Sequence, residues 1–390
     1  MASQLSRRSS GAATVLRAVL EHGPVARSTV AERTGLSHAS VTRHCAELIA
    51  HELVQDAPEL VASKGIGRPH RPVDLGGRVV GAVHIAPEAT TLAVLDLRGR
   101  VIANEHLPHV DTDPAVVLGA AVARLPRFLD QHSAGRRPLG VGVAVGGWVD
   151  PSSGVVVEHA LLGWRGVPVR DIVARGCGLR VNVDSHARAL ARAELLFGSA
   201  RDAASAVHLF VGDVVDAAIV TSGAVHHGPR SAAGAVAHLP LGDDLAARCP
   251  CGRSGCVQAA VSEQALTTRA VRDGVLTRPS IEDLLAAALG GHLAARALFV
   301  ERARTVGRLV ALLADVVNPE VLVVTEVGVL HLPESLAALR DEVRARSHAC
   351  AAPQTAVRPT SFAAADVLAV AGGAVALSEV YANPLGQRGV

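Results

Sequence analysis

Apolar residues recur at helical spacing through the first fifty positions, and the texture then switches to strand runs. Val15, Leu16, Val19 and Leu20 share one face of a helix over residues 11–22, which Gly23-Pro24 stops. Ser28 predicts a cap for a second helix, Thr29 to Thr34, closed by Gly35. Ser37 caps a third, His38 to His51, with Val41, Leu48 and Ile49 as its buried stripe. The other face of that helix shows His38, Ser40, Thr42, Arg43 and Glu47. A helix, a short glycine turn and a second helix with a hydroxyl-rich start is the helix-turn-helix plan. Such a second helix fits the DNA major groove with its N-terminal residues at base edges. Ser37, His38, Ser40, Thr42 and Arg43 are the expected DNA contacts, and a plain three-helix bundle is the alternative. Residues 52–75 read as a wing, entered at Leu53-Val54 and left through Val73 to Leu75. Its Gly67-Arg68-Pro69 tip would hold Arg68 extended into a narrow minor groove, unless the stretch is only a basic linker. The first domain is accordingly read as residues 1–76 and the second as 77–390.

From Val79 onward the pattern is one of buried strands. They are expected at 79–85, 91–96, 139–145, 179–183, 206–210, 216–221 and 321–324, with a hairpin turn into Val101-Ile102. Helical patterns fall at 114–132, 187–196, 262–274, 281–288 and 291–316. Strand runs followed by helices, twice over, predict an α/β body of two related lobes with a cleft between them.

Composition narrows the function classes. The chain has 390 residues, 49 % hydrophobic but only 2 % aromatic, so Ala, Val and Leu must fill a large core. Net charge is +2, which excludes a polycation. Residues 1–78 hold ten Arg plus Lys against seven Asp plus Glu, so the positive excess is local to the DNA-reading segment. No apolar run reaches the roughly 18–20 residues of a membrane span, and the N-terminal stretch lacks a signal-peptide core. A cytoplasmic chain with no membrane partner is expected.

Three of the six cysteines, Cys249, Cys251 and Cys256, fall within eight residues, eleven positions after His238. Zn²⁺ takes about four thiolate or imidazole ligands in a tetrahedron. One histidine and three cysteines complete that shell and leave no open position for a catalytic water. Gly252 and Gly255 allow the tight turn that returns Cys256 to its partners. The expected cofactor is a structural Zn²⁺ on His238, Cys249, Cys251 and Cys256. Free thiols or a disulfide are the alternatives.

These residues carry a resemblance. The Cys-x-Cys-Gly-x-x-Gly-Cys run at 249–256, Val149-Asp-Pro-Ser-Ser-Gly154, Leu162-Gly-Trp164 and Asp184 before an Ala-rich helix resemble the ROK (repressor, open reading frame, kinase) family. The resemblance spans essentially the whole chain. It implies a winged helix-turn-helix followed by a two-lobed actin-like, sugar-kinase-like body, assembled as a homodimer or tetramer. It also implies either sugar phosphorylation or sugar-controlled DNA binding.

Departures from the family pattern bear on that choice. ROK kinases place Asp-x-Gly-x-Thr at the first hairpin, where glycine amides approach ATP phosphate. The matching run here is His84-Ile85-Ala86-Pro87-Glu88, with a proline that lacks an N–H and a glutamate that repels phosphate. The Gly-Gly after the late strand is Thr325-Glu326. No ATP binding and no catalytic residue are therefore expected. The sugar pocket is also altered. The family's Asn-Asp is Val183-Asp184, its Glu-x-Gly-His is Ala235-Val236-Ala237-His238, its Glu after the last cysteine is Gln258, and an Asn becomes Leu161. Asp184, His238 and Gln258 remain as effector-binding candidates, with a helix N-cap as the other role open to Asp184. His186, His226 and His227 read as surface or pocket-rim residues. The resulting expectation is a DNA-binding transcriptional repressor, dimeric on a palindromic double-stranded operator, with a kinase-dead body that senses a sugar or other small molecule. Its rivals are an active kinase of glucose or N-acetylhexosamines with an accessory DNA domain, and an effector-independent DNA-binding dimer.

Overall fold

Val25 and Val73 exchange backbone hydrogen bonds of 2.9 and 2.8 Å, and this bridge sets where the helical segment meets the wing. The computed structural model describes residues 10–57, 72–241, 248–249 and 251–386. Helices α1 (Gly11–His22), α2 (Arg27–Thr34) and α3 (His38–Ala50) lead to the antiparallel strands β1 (Val54–Asp56) and β2 (Val73–Leu75). Helix α2 begins two residues before the expected position. Ser28 lies inside its first turn and does not cap it; the N-cap is Ala26, which makes no side-chain bond. The bridge at Val25 fixes the entry to this helix in place of a capping hydroxyl. Ser37 caps α3 as expected, accepting from the Ser40 N–H at 3.2 Å. Cys45 joins Val41 and Leu48 in the fully buried stripe, whereas Ile49 is only half-buried.

The first lobe carries β3 (Val79–Ile85), β4 (Ala89–Asp96), β5 (Val101–Pro108), α4 (Pro114–His132) and β6 (Val141–Val145). A small antiparallel sheet follows, of β7 (Trp148–Asp150), β8 (Val155–His159) and β9 (Trp164–Val167). Next come α5 (Val169–Cys177), β10 (Val181–Ser185) and α6 (His186–Phe197). The second lobe holds β11 (Ala206–Val211), β12 (Val215–Thr221), β13 (Ala224–His226), α7 (Val257–Val261), α8 (Glu263–Arg272), α9 (Ile281–Leu289) and α10 (Leu293–Val317). It ends with β14 (Val321–Glu326), α11 (Val327–His331), α12 (Pro333–Arg346), α13 (Pro353–Ala356) and β15 (Val357–Pro359). Helix α14 (Val367–Ala382) returns to pack on β3 and β6.

The two main sheets share one plan. Their orders are β10-β6-β3-β4-β5 and β13-β12-β11-β14-β15. In each, a three-strand antiparallel meander is extended by two strands added parallel to its first strand. This repetition is the pair of related lobes expected from the pattern. Helix α14 approaches the first sheet closely because Gly372 has no side chain; a Cβ there would lie 2.9 Å from both the N and the O of Val83.

The DNA-reading segment does not hang free of the body. Leu16, Val19, Leu53 and Val73 lie in one hydrophobic cluster with Leu95, Leu196, Val370 and Leu377. Arg17 donates to the Leu195 carbonyl at 2.8 Å, and Arg98 pairs with Asp74. Packing is therefore continuous across residue 76.

Candidate DNA-reading face, metal centre and interlobe cavities

Helix α3 turns Val41, Cys45 and Leu48 inward, so the positions between them face solvent. His38, Ala39, Thr42, Arg43 and Ala46 form that exposed stripe. Ser37 and Ser40 are partly engaged, because their hydroxyls bond each other at 2.9 Å. Gly35, in the left-handed region at φ 68°, ends α2 and makes the turn between the helices. Arg68 lies outside the described residues.

The four expected metal ligands come together. Their donor atoms all lie within 4.8 Å of one another. Cys249 Sγ is 3.5 Å from His238 Nδ1, and Cys251 Sγ is 3.7 Å from Cys256 Sγ. A zinc tetrahedron with ordinary Zn–S and Zn–N bonds has edges of about 3.6–3.8 Å, so the donor set fits. The loop is shaped as expected: Gly252 and Gly255 both have positive φ, at 87° and 73°. Cys249 N–H donates to the Arg253 carbonyl at 2.8 Å, which closes the turn. All six cysteines are free of disulfides.

A cavity of about 800 Å³ opens beside this centre, between the lobes. His238 and Gln258 line it; Asp184 does not. Gln258 is used internally, accepting from Val215 N–H at 2.9 Å and donating to the Asp213 carbonyl. Asp184 is fully buried under two arginines. Arg188 Nε donates to its Oδ1 at 2.6 Å, and Arg192 Nη1 lies 2.6 Å from Oδ2 without hydrogen-bond alignment. The other Arg188 nitrogens reach the carbonyls of Ser231 at 3.0 Å and Val149 at 2.7 Å. Burial pushes the Asp184 carboxyl up, but Arg192, Arg188 and His227 outweigh it and hold it below the ordinary range. A carboxylate so stabilised is a poor acceptor for a hydroxyl proton. The N-cap of α6 is Ser185, not Asp184, because Ser185 is the residue whose side chain accepts from an N–H of the first turn. The lock has a sequence signal, since Arg188 and Arg192 stand four residues apart on one face of α6, just past Asp184 at the end of β10.

At the late-strand departure the changed side chains are engaged within the fold. Glu326 is buried, pairs with Arg302 at 2.6 Å and caps α11. Thr325 Oγ1 bonds His208 at 3.1 Å. His186 is not a rim residue; it is 3 % exposed, because β10 delivers it into the interlobe core. His226 is exposed and His227 half-buried.

Asp216, not singled out in the sequence, also lines this interlobe cavity of about 800 Å³. Burial pushes its carboxyl up to about 7, against the pull of Arg188. A carboxyl raised in the fold keeps its proton when the unfolded chain, at an ordinary value near about 4, has lost it. Its destabilising contribution is thus absent below about pH 4 and complete above about pH 7. Asp216→Asn should raise the melting temperature by several degrees at pH 8 and leave it unchanged at pH 4. Equal shifts at both pH values, read by calorimetry, would contradict the assignment.

The fold and site define a winged helix-turn-helix joined to a two-lobed, sugar-kinase-like body with a Cys/His cluster of a geometry that could hold a metal ion. Residues 80–379 match the ROK family and residues 3–59 the MarR family. The chain belongs to the ROK family. It is 35 % identical to a transcriptional regulator of Mycobacterium tuberculosis, over 97 % of this chain and 87 % of the relative. It is 24 % identical to the DNA-binding transcriptional dual regulator NagC of Escherichia coli, over 80 % of this chain and 79 % of that one. Among solved structures, a ROK family transcriptional regulator homologous to the Escherichia coli MLC protein matches with TM-score 0.79 and 23 % identity, covering 96 % of both chains. A ROK glucokinase of Streptomyces griseus matches with TM-score 0.65 and 22 % identity, over 75 % of this chain and 98 % of its own. No single helix among the described residues is long and apolar enough to cross a membrane.

Proposed function

We propose that this chain is a DNA-binding transcriptional repressor whose kinase-like body has lost phosphoryl transfer and senses a small molecule between its lobes. The observation that carries the reading is the pairing of an open α3 face with a locked Asp184. His38, Thr42 and Arg43 are exposed at the start and middle of α3, with Ser37 and Ser40 beside them. Arg43 is the side chain suited to a bidentate bond with guanine, and Arg68 to the minor groove. The body offers no matching chemistry. Its only family base is held by Arg188 and Arg192, and Glu326 with Arg302 occupies the late-strand position. Zn²⁺ on His238, Cys249, Cys251 and Cys256 would fix the cavity wall and supply no reaction. A homodimer would place two α3 helices on the halves of a palindromic operator in the cytoplasm.

The larger cavity is the effector candidate, because its volume suits a sugar-sized molecule. Among the relatives, an Escherichia coli protein is named N-acetylglucosamine repressor, which makes amino sugars the first probes. Ala235 and Leu161 line the cavity where the family carries polar residues, which favours a less polar effector. A second reading, an effector-independent repressor, is favoured by the internal engagement of Asp184 and Gln258. The two separate in a mobility shift on DNA from upstream of the chain's own gene, with and without a sugar panel. Release by one compound supports sensing, and indifference to all of them supports the second reading. In the same assay Arg43→Ala should weaken specific binding about ten- to hundredfold, the loss of one good base contact. An unchanged affinity would remove α3 from the interface.

A further inference from the structure

We propose that a second, smaller interlobe cavity binds an organic ammonium ion on a short apolar body, with His84 accepting one N–H and the carboxylates of Asp213, Glu263 and Glu282 supplying the attracting negative field. This cavity has a volume of about 320 Å³, near the lower end for small-molecule sites. Nothing in the repressor mechanism uses it.

Its floor holds buried polar atoms without partners. His84 is 2 % exposed, and neither of its ring nitrogens has a hydrogen bond. His159 and His186, 1 % and 3 % exposed, each leave Nε2 unpaired. Buried polar groups are otherwise almost always satisfied, so three orphaned imidazoles around one cavity point to a missing partner. Burial, reinforced by His159, takes His84 down to about 3, and burial takes His159 to about 4. The rings are therefore neutral and present a lone pair to a donor.

The same cavity carries three carboxylates. Asp213 and Glu263 line the interior and Glu282 the rim. Among the described residues none of the three makes an ion pair. The nearby Arg302 is fully engaged by Glu326 and by the carbonyls of Val261 and Val211. Burial pushes Glu263 up to about 7; Asp213, Glu326 and Glu282 add to the rise, against the pull of Arg302. A bound cation would relieve that repulsion, whereas an anion such as a phosphate would add to it.

The remaining walls select an organic body. Phe210, Leu330 and Leu368 are apolar and leave a polyol's hydroxyls unpaired. An ammonium ion needs only one imidazole acceptor with the carboxylate charges at longer range, whereas a metal ion needs at least three converged donors, which among the described residues only the Cys/His cluster offers.

The test is calorimetric titration of the full, zinc-loaded chain with cyclohexylamine and 2-phenylethylamine, beside cyclohexanol and 2-phenylethanol. One amine should bind saturably at one site per chain, and its alcohol should not bind at the same concentrations. Glu263→Gln should weaken amine binding at least about tenfold, the equivalent of about 1.4 kcal/mol. Glu282→Gln, at an exposed position that cannot disturb the core, should weaken it several-fold. Absence of amine binding into the millimolar range would overturn the proposal. So would amine binding that both variants leave unchanged, or saturable Mg²⁺ binding in place of amine binding. The readout needs no DNA, so failure of the repressor reading leaves this result interpretable.

Discussion

Arg188→Leu should destabilise the chain by roughly 3–5 kcal/mol, the range found when one partner of a buried ion pair is removed. The Arg188 side chain is 4 % exposed and the Asp184 side chain fully buried. Leucine fills part of the volume but leaves the carboxylate with Arg192 alone. It also strips donors from the carbonyls of Val149 and Ser231. The loss at Val149 leaves a buried acceptor unmet, at about 1–3 kcal/mol, and the half-exposed Ser231 carbonyl adds less. The double variant Asp184→Asn with Arg188→Leu should recover a large part of the loss, since the fully buried carboxylate is gone and Arg192, 20 % exposed, keeps access to water. The pair is also pH-sensitive in a defined direction. Because the folded carboxyl is depressed, its contribution is present above the unfolded value of about 4 and is lost as pH falls through the folded one. Denaturant unfolding at pH 7 of the single and double variants checks the account. A single variant within about 0.5 kcal/mol of wild type, the scale of a neutral surface change, would show that Asp184 is not held as described.

Cys256→Ser should remove the metal and, with it, the ordered form of the loop. The wild-type chain should carry one Zn²⁺ per molecule by elemental analysis, and the variant close to none. Free zinc-finger peptides gain about 10–16 kcal/mol from the metal, but they have no other core. Here the flanks are anchored independently: Val257 is fully buried, and Leu241 N–H reaches the Gly255 carbonyl at 3.2 Å. A loss of roughly 3–5 kcal/mol, concentrated in the loop, is the expected scale. Hydrogen exchange would show it as lost protection around Cys249 and Cys256, with α1 to α3 little changed. Full protection in metal-free protein would mean that the thiols are structural by themselves.

Elements set by local signals were legible in the sequence. Ser37 and Gly35 mark the turn between α2 and α3 through their own capping chemistry, and the apolar period of α1 needs no tertiary context. Ser28 misled because a capping residue is only an offer; the bridge between Val25 and Val73 settled the helix start from across the fold. The clustering of His238, Cys249, Cys251 and Cys256 was legible because all four donors lie between residues 238 and 256. Helix α14 was missed for the opposite reason. It is buried on nearly every side, so its apolar residues show no 3.6-residue period. The Asp184 lock was written in the spacing of Arg188 and Arg192, although the family pattern drew attention to the aspartate alone. The histidine-lined cavity had no local signal, because His84 on β3, His159 on β8 and His186 at the start of α6 are far apart in sequence and meet only through the tertiary packing of the first lobe.

The central claim is that α3 reads DNA for a body that no longer phosphorylates sugar. Its most direct measurement is a selection of bound fragments from the source genome with purified chain, run in parallel with Arg43→Ala. Enrichment of a few sites sharing a two-fold symmetric motif, lost in the variant, is the expected result. Absence of enrichment, or the same enrichment in the variant, would contradict the claim.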